Sequence, residues 1–368
     1  MQYNTVSIRG AVYRRSLGRK SRILNNIGRQ YVTFICDVSE DSVMGAYKTT
    51  YLLGAGFSKS SCESLPLSKD FFEKIRARKL GNTEYLQANP SLKVVDTFVK
   101  SYFPKYPDLE EVMSFLAQQH FPRGFREHWQ HRSDAYVELL RIVAETFGTP
   151  LQIAPYKRKI LRKFADTLVK NGSNALTFNY DCMLDCFLNS TNKWNCLSGY
   201  GMPLRHMSDC FHSESLDKAK YSSMSLLKLH GSVNWGIPEM DMNADSFPEV
   251  FFDTPELSGV GSNISTCGIT LPVSKHSSHT VGFQPFIIPP IADKTQSYQH
   301  PLMRRLWYIA REILSVSDRI IIIGYSFPPT DYMARFLLRE SMGLHLAKYD
   351  KKEIIIVNTN CDSEYRRR

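Results

Sequence analysis

Tyr51-Leu52-Leu53-Gly54-Ala55-Gly56-Phe57-Ser58 is the stretch on which the fold turns. A run of β-forming residues from Thr49 passes straight into a turn carrying two glycines. Glycine leaves no Cβ between backbone and ligand and tolerates positive φ. The amides of Gly54, Ala55, Gly56, Phe57 and Ser58 are therefore candidates for cradling a pyrophosphate at the start of a helix. The third glycine of a Gly-x-Gly-x-x-Gly fingerprint would fall at Lys59, so that pattern is broken. Alone, the turn is equally well explained as a tight strand-to-helix connection without a ligand.

Working outward, four more β-type runs bounded by turn residues follow: Ala175 to Phe178, Leu226 to Leu229, Arg319 to Ile323 and Glu353 to Val357, with Phe286 to Ile288 a sixth candidate. Ile320 to Ile323 and Ile354 to Val357 are continuously apolar rather than alternating. Such strands belong in a sheet covered on both faces, which predicts a parallel α/β fold. Between the first two strands, Lys69 to Lys79, Leu92 to Phe103, Leu109 to His120, Asp134 to Phe147 and Tyr156 to Lys170 place apolar residues at helical spacing. The block is too long for a simple crossover and predicts a helical subdomain inserted at about 60–170. A second insertion, about 236–283, is rich in Ser, Gly, Asp and Pro and is expected to be irregular.

Polar motifs close each remaining strand. Asn179-Tyr180-Asp181 follows Ala175 to Phe178. Asn179 can hold a ribose hydroxyl or a water and Asp181 can accept from hydroxyls, or both can simply cap the next helix. His230-Gly231 follows Leu226 to Leu229, and imidazole is the side chain best suited to proton exchange near neutral pH. Gly324-Tyr325-Ser326-Phe327-Pro328-Pro329-Thr330-Asp331 and Asn358 close the last two. Ligands of parallel sheets bind outside the carboxyl ends of strands, so the convergence of five motifs there points to a nucleotide site more strongly than any one of them.

Length, charge and cysteine usage narrow the class. With 368 residues, 43% hydrophobic and 22% charged, the chain has the make-up of a soluble globular protein, and its apolar runs are far shorter than a membrane span. The net charge of +10 is carried by two tails: Arg9, Arg14, Arg15, Arg19, Lys20, Arg22 and Arg29, with no acidic residue in the first thirty, and Arg366 to Arg368. A basic extension over 1–48 could meet nucleic-acid phosphates, but a solvated arm is the favoured expectation. Its Arg-rich start is also the composition of a transit peptide; the expectation is a cytoplasmic enzyme. Eight scattered cysteines without a Cys-x-x-Cys pair suggest reduced thiols. Cys182, Cys186, Cys196 and Cys210 are too widely spaced to favour zinc over buried packing.

In this order, the five motifs resemble the sirtuin-like superfamily over about 49–360. Gly54 to Ser58 is similar to its phosphate loop, Asn179 to Asp181 to its ribose and nicotinamide motif, and His230-Gly231 to its catalytic pair. Gly324, Ser326 and Asn358 are similar to its adenosine-side contacts. The resemblance implies a Rossmann-like sheet in residues 49–368 and NAD⁺ as substrate, with Asn179, His230 and Asp181 catalytic. Sirtuin deacylases carry a zinc ribbon with two Cys-x-x-Cys pairs after the His-Gly motif, whereas this chain has only Cys267 there; no metal is expected. The helical insertion, the Leu-His-Gly-Ser-Val-Asn-Trp run at 229–235 and Asp108-Leu109-Glu110-Glu111 resemble bacterial sirtuin-like NAD hydrolases of antiphage defence. That likeness implies an NAD⁺ glycohydrolase, homo-oligomeric or held by a regulatory protein partner. A non-catalytic NAD or ADP-ribose sensor, an ADP-ribosyltransferase and a deacylase are the alternatives.

Overall fold

A computed structural model describes residues 48–77, 90–103, 107–117, 126–148, 153–202, 204–207, 222–238, 249–255, 283–295, 297–346 and 351–358, with strand segments at 4–9, 12–13, 79–80, 83–84, 274–276 and 279–281. Its main sheet contains β1 (Asn4–Arg9), β2 (Val12–Tyr13), β3 (Thr49–Leu53), β6 (Asn174–Thr177), β8 (Leu226–Lys228), β14 (Arg319–Ile323) and β15 (Lys351–Val357). Short hairpins β4–β5 (Lys79–Leu80, Thr83–Glu84) and β11–β12 (Ser274–His276, His279–Val281) stand apart from it.

The order across the main sheet is β2-β1-β15-β14-β3-β6-β8. The five strands from β15 to β8 are all parallel, and all five runs expected from the sequence are among them. Numbered by their succession in the chain, they stand 5-4-1-2-3, the doubly wound Rossmann-like arrangement. The order reverses between β3 and β14, and a ligand crevice opens at such a switch point.

Strand residues alternate between faces, and β3 shows what covers each. Tyr51 packs edge-on against Phe164 of α6 (Pro155–Asn171) at 5.2 Å. Its neighbour Thr50 hydrogen-bonds Ser317, just beyond α9 (Pro301–Val316), at 2.6 Å. Helices thus lie on both faces, which is why Leu52 and Ile320 on one face and Leu53 and Ala175 on the other are all buried in one core. Pro155 opens α6, where its missing N–H costs nothing, and Gly172 closes it at φ 59°.

Between β3 and β6 lie α1 (Ala55–Ser61), α2 (Phe71–Arg76), α3 (Pro90–Tyr102), α4 (Leu109–Ala117) and α5 (Arg126–Gly148) before α6. Phe71, Val95, Val112, Met113, Leu139 and Ile142 form a second core of their own. Within the stretch expected to form a helical insertion, α6 packs with the sheet: Leu161, Phe164 and Leu168 lie in the main core. Lys79, expected to end a helix, opens the β4–β5 hairpin instead.

The second insertion differs more from expectation. Gly236 to Pro238 close β9 (Gly231–Pro238), which pairs antiparallel with β13 (Phe283–Ile287) and β10 (Phe251–Phe252); β10 runs parallel to β7 (Arg205–His206). Within 236–283 this four-stranded sheet takes in β10 and the ends of β9 and β13, its other residues flanking the stretch, while 239–248 and 256–273 lie outside the described residues. The basic arm also departs from a solvated tail, because β1 adds antiparallel to β15. Arg14, Arg15, Arg19, Lys20, Arg22, Arg29, Arg366 to Arg368, Cys210 and Cys267 lie outside the described residues. Among the described residues no helix is long and apolar enough to cross a membrane.

Candidate active site

At the switch point two glycine loops interlock. The Gly54 amide donates to Ile323 O at 3.0 Å and the Gly56 amide to Gly324 O at 2.8 Å. A Cβ on Gly54 would lie 2.5 Å from Tyr325 Cα, and one on Gly56 2.8 Å from Gly324 O. Gly324 sits at φ +63°, where a Cβ would come within 2.3 Å of the Phe57 amide nitrogen. The glycines are thus required for backbone-on-backbone packing. Three of the five amides expected to face a diphosphate, those of Gly54, Gly56 and Phe57, donate to protein carbonyls here. Ala55 and Ser326 are exposed on this crest, while Phe57 and Ser58 are buried beneath it.

Asn179 stands on the loop after β6. Its Nδ2 donates to Gly54 O and to Ser58 Oγ, both at 2.9 Å. With both amide hydrogens committed, Asn179 presents only an acceptor, Oδ1, to anything beyond. Asp181 is buried, and its Oδ1 accepts from the Met183 amide at 3.0 Å, at the start of α7 (Met183–Asn189). Burial raises its pKa, against the pull of Lys228 and hydrogen bonds from Ser58 and Met183. The N-cap of α7 is Cys182, one residue further on; Asp181 lies beside Ser58 and Asn179 on the wall of a cavity of about 10 Å³, the room of one water.

His230 follows β8 and is 7% exposed. Gly231 turns the chain sharply at φ +74°, where any Cβ would lie 2.2 Å from Phe286 O. The imidazole rests on Phe178 (5.0 Å) and Trp307 (6.5 Å). Its Nε2 is 3.3 Å from Tyr298 Oη and 3.7 Å from Asp331 Oδ2. Burial drives its pKa down to about 4; Asp331 opposes the shift and Lys294 adds to it. The ring is therefore neutral near pH 7, able to accept a proton. Asn358, at the end of β15, is half-buried and does not feature in this cluster.

Several groups were not singled out from the sequence. Asp331 is 3% exposed and accepts from Tyr325 Oη at 2.6 Å. Glu110 of α4 reaches from the helical insertion to Lys294 Nζ (3.1 Å) and Thr330 Oγ1 (2.8 Å). Beside it opens a cavity of about 500 Å³ walled by Phe103, Asp108, Glu110, Glu111, Phe115 and Thr330, acidic enough to suit a cationic or hydroxyl-bearing group over a phosphate. Beneath the site, Lys228 Nζ donates to Asp181 O (2.6 Å) and lies 3.3 Å from both Asp185 oxygens. Tyr200 Oη donates to Asp185 (2.7 Å) and accepts from Asn234 Nδ2 (3.0 Å). A lysine inside the apolar Leu226 to Leu229 run was a legible sign that a buried partner existed; its identity was not. Cys182, Cys186 and Cys196 are buried free thiols, with burial pushing Cys182 up to about 12.

No protein-family model matches the chain, and no curated protein matches it. Solved structures that match include a Sir2 homologue–NAD complex, at 13% identity over 79% of this chain and 73% of that chain, with a TM-score of 0.30. Two mutant Sir2 homologues in complex with ADP ribose match at 14% and 15% identity, over 80% and 79% of this chain and 76% of each of theirs, with TM-scores of 0.30 and 0.32. Overlap this slight carries no site or activity to the present chain. The fold class rests on strand order, and it defines a doubly wound α/β protein with polar side chains gathered at the carboxyl edge.

Proposed function

We propose that the chain binds NAD⁺ across the β3/β14 switch point and hydrolyses its nicotinamide–ribose bond, giving nicotinamide and ADP-ribose. One observation carries the reading most: the strand order puts Asn179, His230 and the Gly54 and Gly324 loops together at the edge where parallel sheets take nucleotides. Cleavage of that bond passes through an oxocarbenium-like state, as glycoside cleavage does. Asn179 Oδ1, the acceptor left free by its two donated bonds, positions water or a ribose hydroxyl, and neutral His230 accepts the proton. Asp181, on the same loop, orients the ribose or the nicotinamide amide. The exposed Ala55 and Ser326 meet the phosphate and adenosine portions, together with Asn358.

The order of motifs supports a sirtuin-like NAD⁺-consuming enzyme. By the same resemblance, the finer role is an NAD⁺-depleting effector of antiphage defence, released by a partner or assembled as an oligomer. A second reading, a non-catalytic NAD or ADP-ribose sensor, is favoured by one feature: the Gly54 and Gly56 amides already donate within the protein.

Incubating the purified chain with NAD⁺ and separating the products tests both. Wild type should release nicotinamide and ADP-ribose, with Asn179→Ala and His230→Ala slower by about 10²-fold or more while each still folds. Binding without turnover would favour the sensor or an enzyme awaiting its partner; variants that keep their activity would remove the assigned residues from the chemistry.

A further inference from the structure

Asp331 has an unusual arrangement for a buried carboxylate. Tyr325 Oη donates to Oδ2, His230 Nε2 lies 3.7 Å from the same oxygen, and Oδ1 is buried without a hydrogen-bond partner. Buried carboxylates ordinarily have their lone pairs satisfied, so this one is organised for a proton that is not yet there. Phe178 and Trp307 fix the faces of the His230 ring, which leaves its edges to choose the tautomer.

We propose that Asp331 is a positioning residue for His230: its carboxylate selects the tautomer protonated on Nε2, leaves Nδ1 as the proton acceptor, and becomes the counter-ion when the ring takes a proton. The catalytic consequence rests on the hydrolase reading above; the effect on the ring does not. An imidazole held by a buried carboxylate is oriented and made a better base at once. The contact is long in the resting state and shortens when the ring is charged, as catalytic hydrogen bonds commonly do.

The other groups facing the ring leave this role to Asp331. Tyr298 Oη is 3.3 Å from Nε2; burial raises its pKa and Asp331 raises it further, so it stays a neutral phenol, able to donate to Nε2 or accept from it, and adapts to either tautomer without selecting one. Tyr325 is held neutral in the same way. Lys294 opposes protonation of the ring from a distance, with its own ammonium engaged by Glu110. Among the described residues Asp331 alone favours the imidazolium.

The test uses the full chain with ¹⁵N-labelled histidine. Ring nitrogen shifts near pH 7 should report the Nε2-protonated tautomer in wild type, lost or mixed in Asp331→Asn, and the ring's titration midpoint should fall below its wild-type value. Tyr325→Phe, which removes the hydroxyl held on Oδ2 and keeps the carboxylate, should move the midpoint up. An unchanged tautomer and midpoint in Asp331→Asn overturns the proposal, whether or not NAD⁺ is consumed. If Asp331→Asn does not fold, Tyr325→Phe decides: a midpoint that stays or falls is fatal. In turnover, Asp331→Asn should lose about tenfold or more in kcat with KM within about threefold, its acid limb displaced downward, and Asp331→Glu should recover part of the loss. Full kcat in Asp331→Asn, alongside an inactive His230→Ala, would refute the role in catalysis while leaving the hydrolase assignment intact.

Discussion

His230 links chemistry to stability. An exposed histidine in the unfolded chain titrates near about 6.5, and burial holds the folded ring at about 4. Between those values the unfolded state binds a proton that the folded state refuses. Stability therefore falls as pH drops from about 6.5 to about 4, by about 3 kcal/mol from this one group. Urea midpoints for wild type and His230→Gln should diverge with pH only across that window, the variant losing less on acidification; parallel curves would mean the ring is not buried and neutral. At this scale the sequence was half legible. Asn179, His230 and Gly324 were readable because a polar residue or glycine directly after an apolar run has few other uses. Asp331 was quoted as the end of a motif without a role, because six residues of loop separate it from Gly324 and only the folded turn returns it to His230. The same loop holds Phe327 at φ 52°, a left-handed backbone that a bulky side chain adopts only where its surroundings compel it.

Among elements, the parallel strands were legible and the second sheet was not, for one physical reason. Strands β3, β14 and β15 bury apolar residues against helices on both faces, so their composition announces them. Strand β9 carries Ser232 and Asn234, fully buried, whose polarity mimics exposed loop. Ser232 Oγ donates to Asn234 Oδ1 (2.6 Å), and Asn234 Nδ2 donates to Tyr200 Oη and Asp253 O. Those partners come from distant segments that no local pattern discloses. Lys228 and Asp185 anchor the network at its other end; burial disfavours the ammonium, but Asp185 and its neighbours outweigh burial and raise the lysine's pKa. Lys228→Met leaves Asp185 buried without its cation and should cost about 3–5 kcal/mol. Replacing Asp185 by Leu in the same chain should restore much of that loss. A single variant that melts like wild type would show that water reaches the pair.

Across the whole molecule, two hydrophobic cores meet at Phe147, which packs against both, and along a polar seam beside the candidate site. Glu110 joins Lys294 and Thr330, Ser114 Oγ accepts from the Ala292 amide at 2.8 Å, and Asp108 hydrogen-bonds Ser68. A seam of few polar contacts separates more readily than either core unfolds. Glu110→Gln weakens its strongest link, a charge-assisted one worth about 1.5–3 kcal/mol. Amide exchange in α4 should then quicken by about tenfold or more while β3 and β14 keep their protection; equal acceleration everywhere would mean that the two cores open as one. The N-terminal strand has a different consequence, for how the chain is handled. By lying along β15, residues 4–9 form the selvedge of the sheet, and β15 without them would offer a bare row of amides and carbonyls to any other strand. Trimming the first thirty residues to ask whether their arginines touch nucleic acid would therefore trade one adhesive surface for another. Recharging Arg14, Arg15 and Arg19 in place asks the same question with the border still sewn.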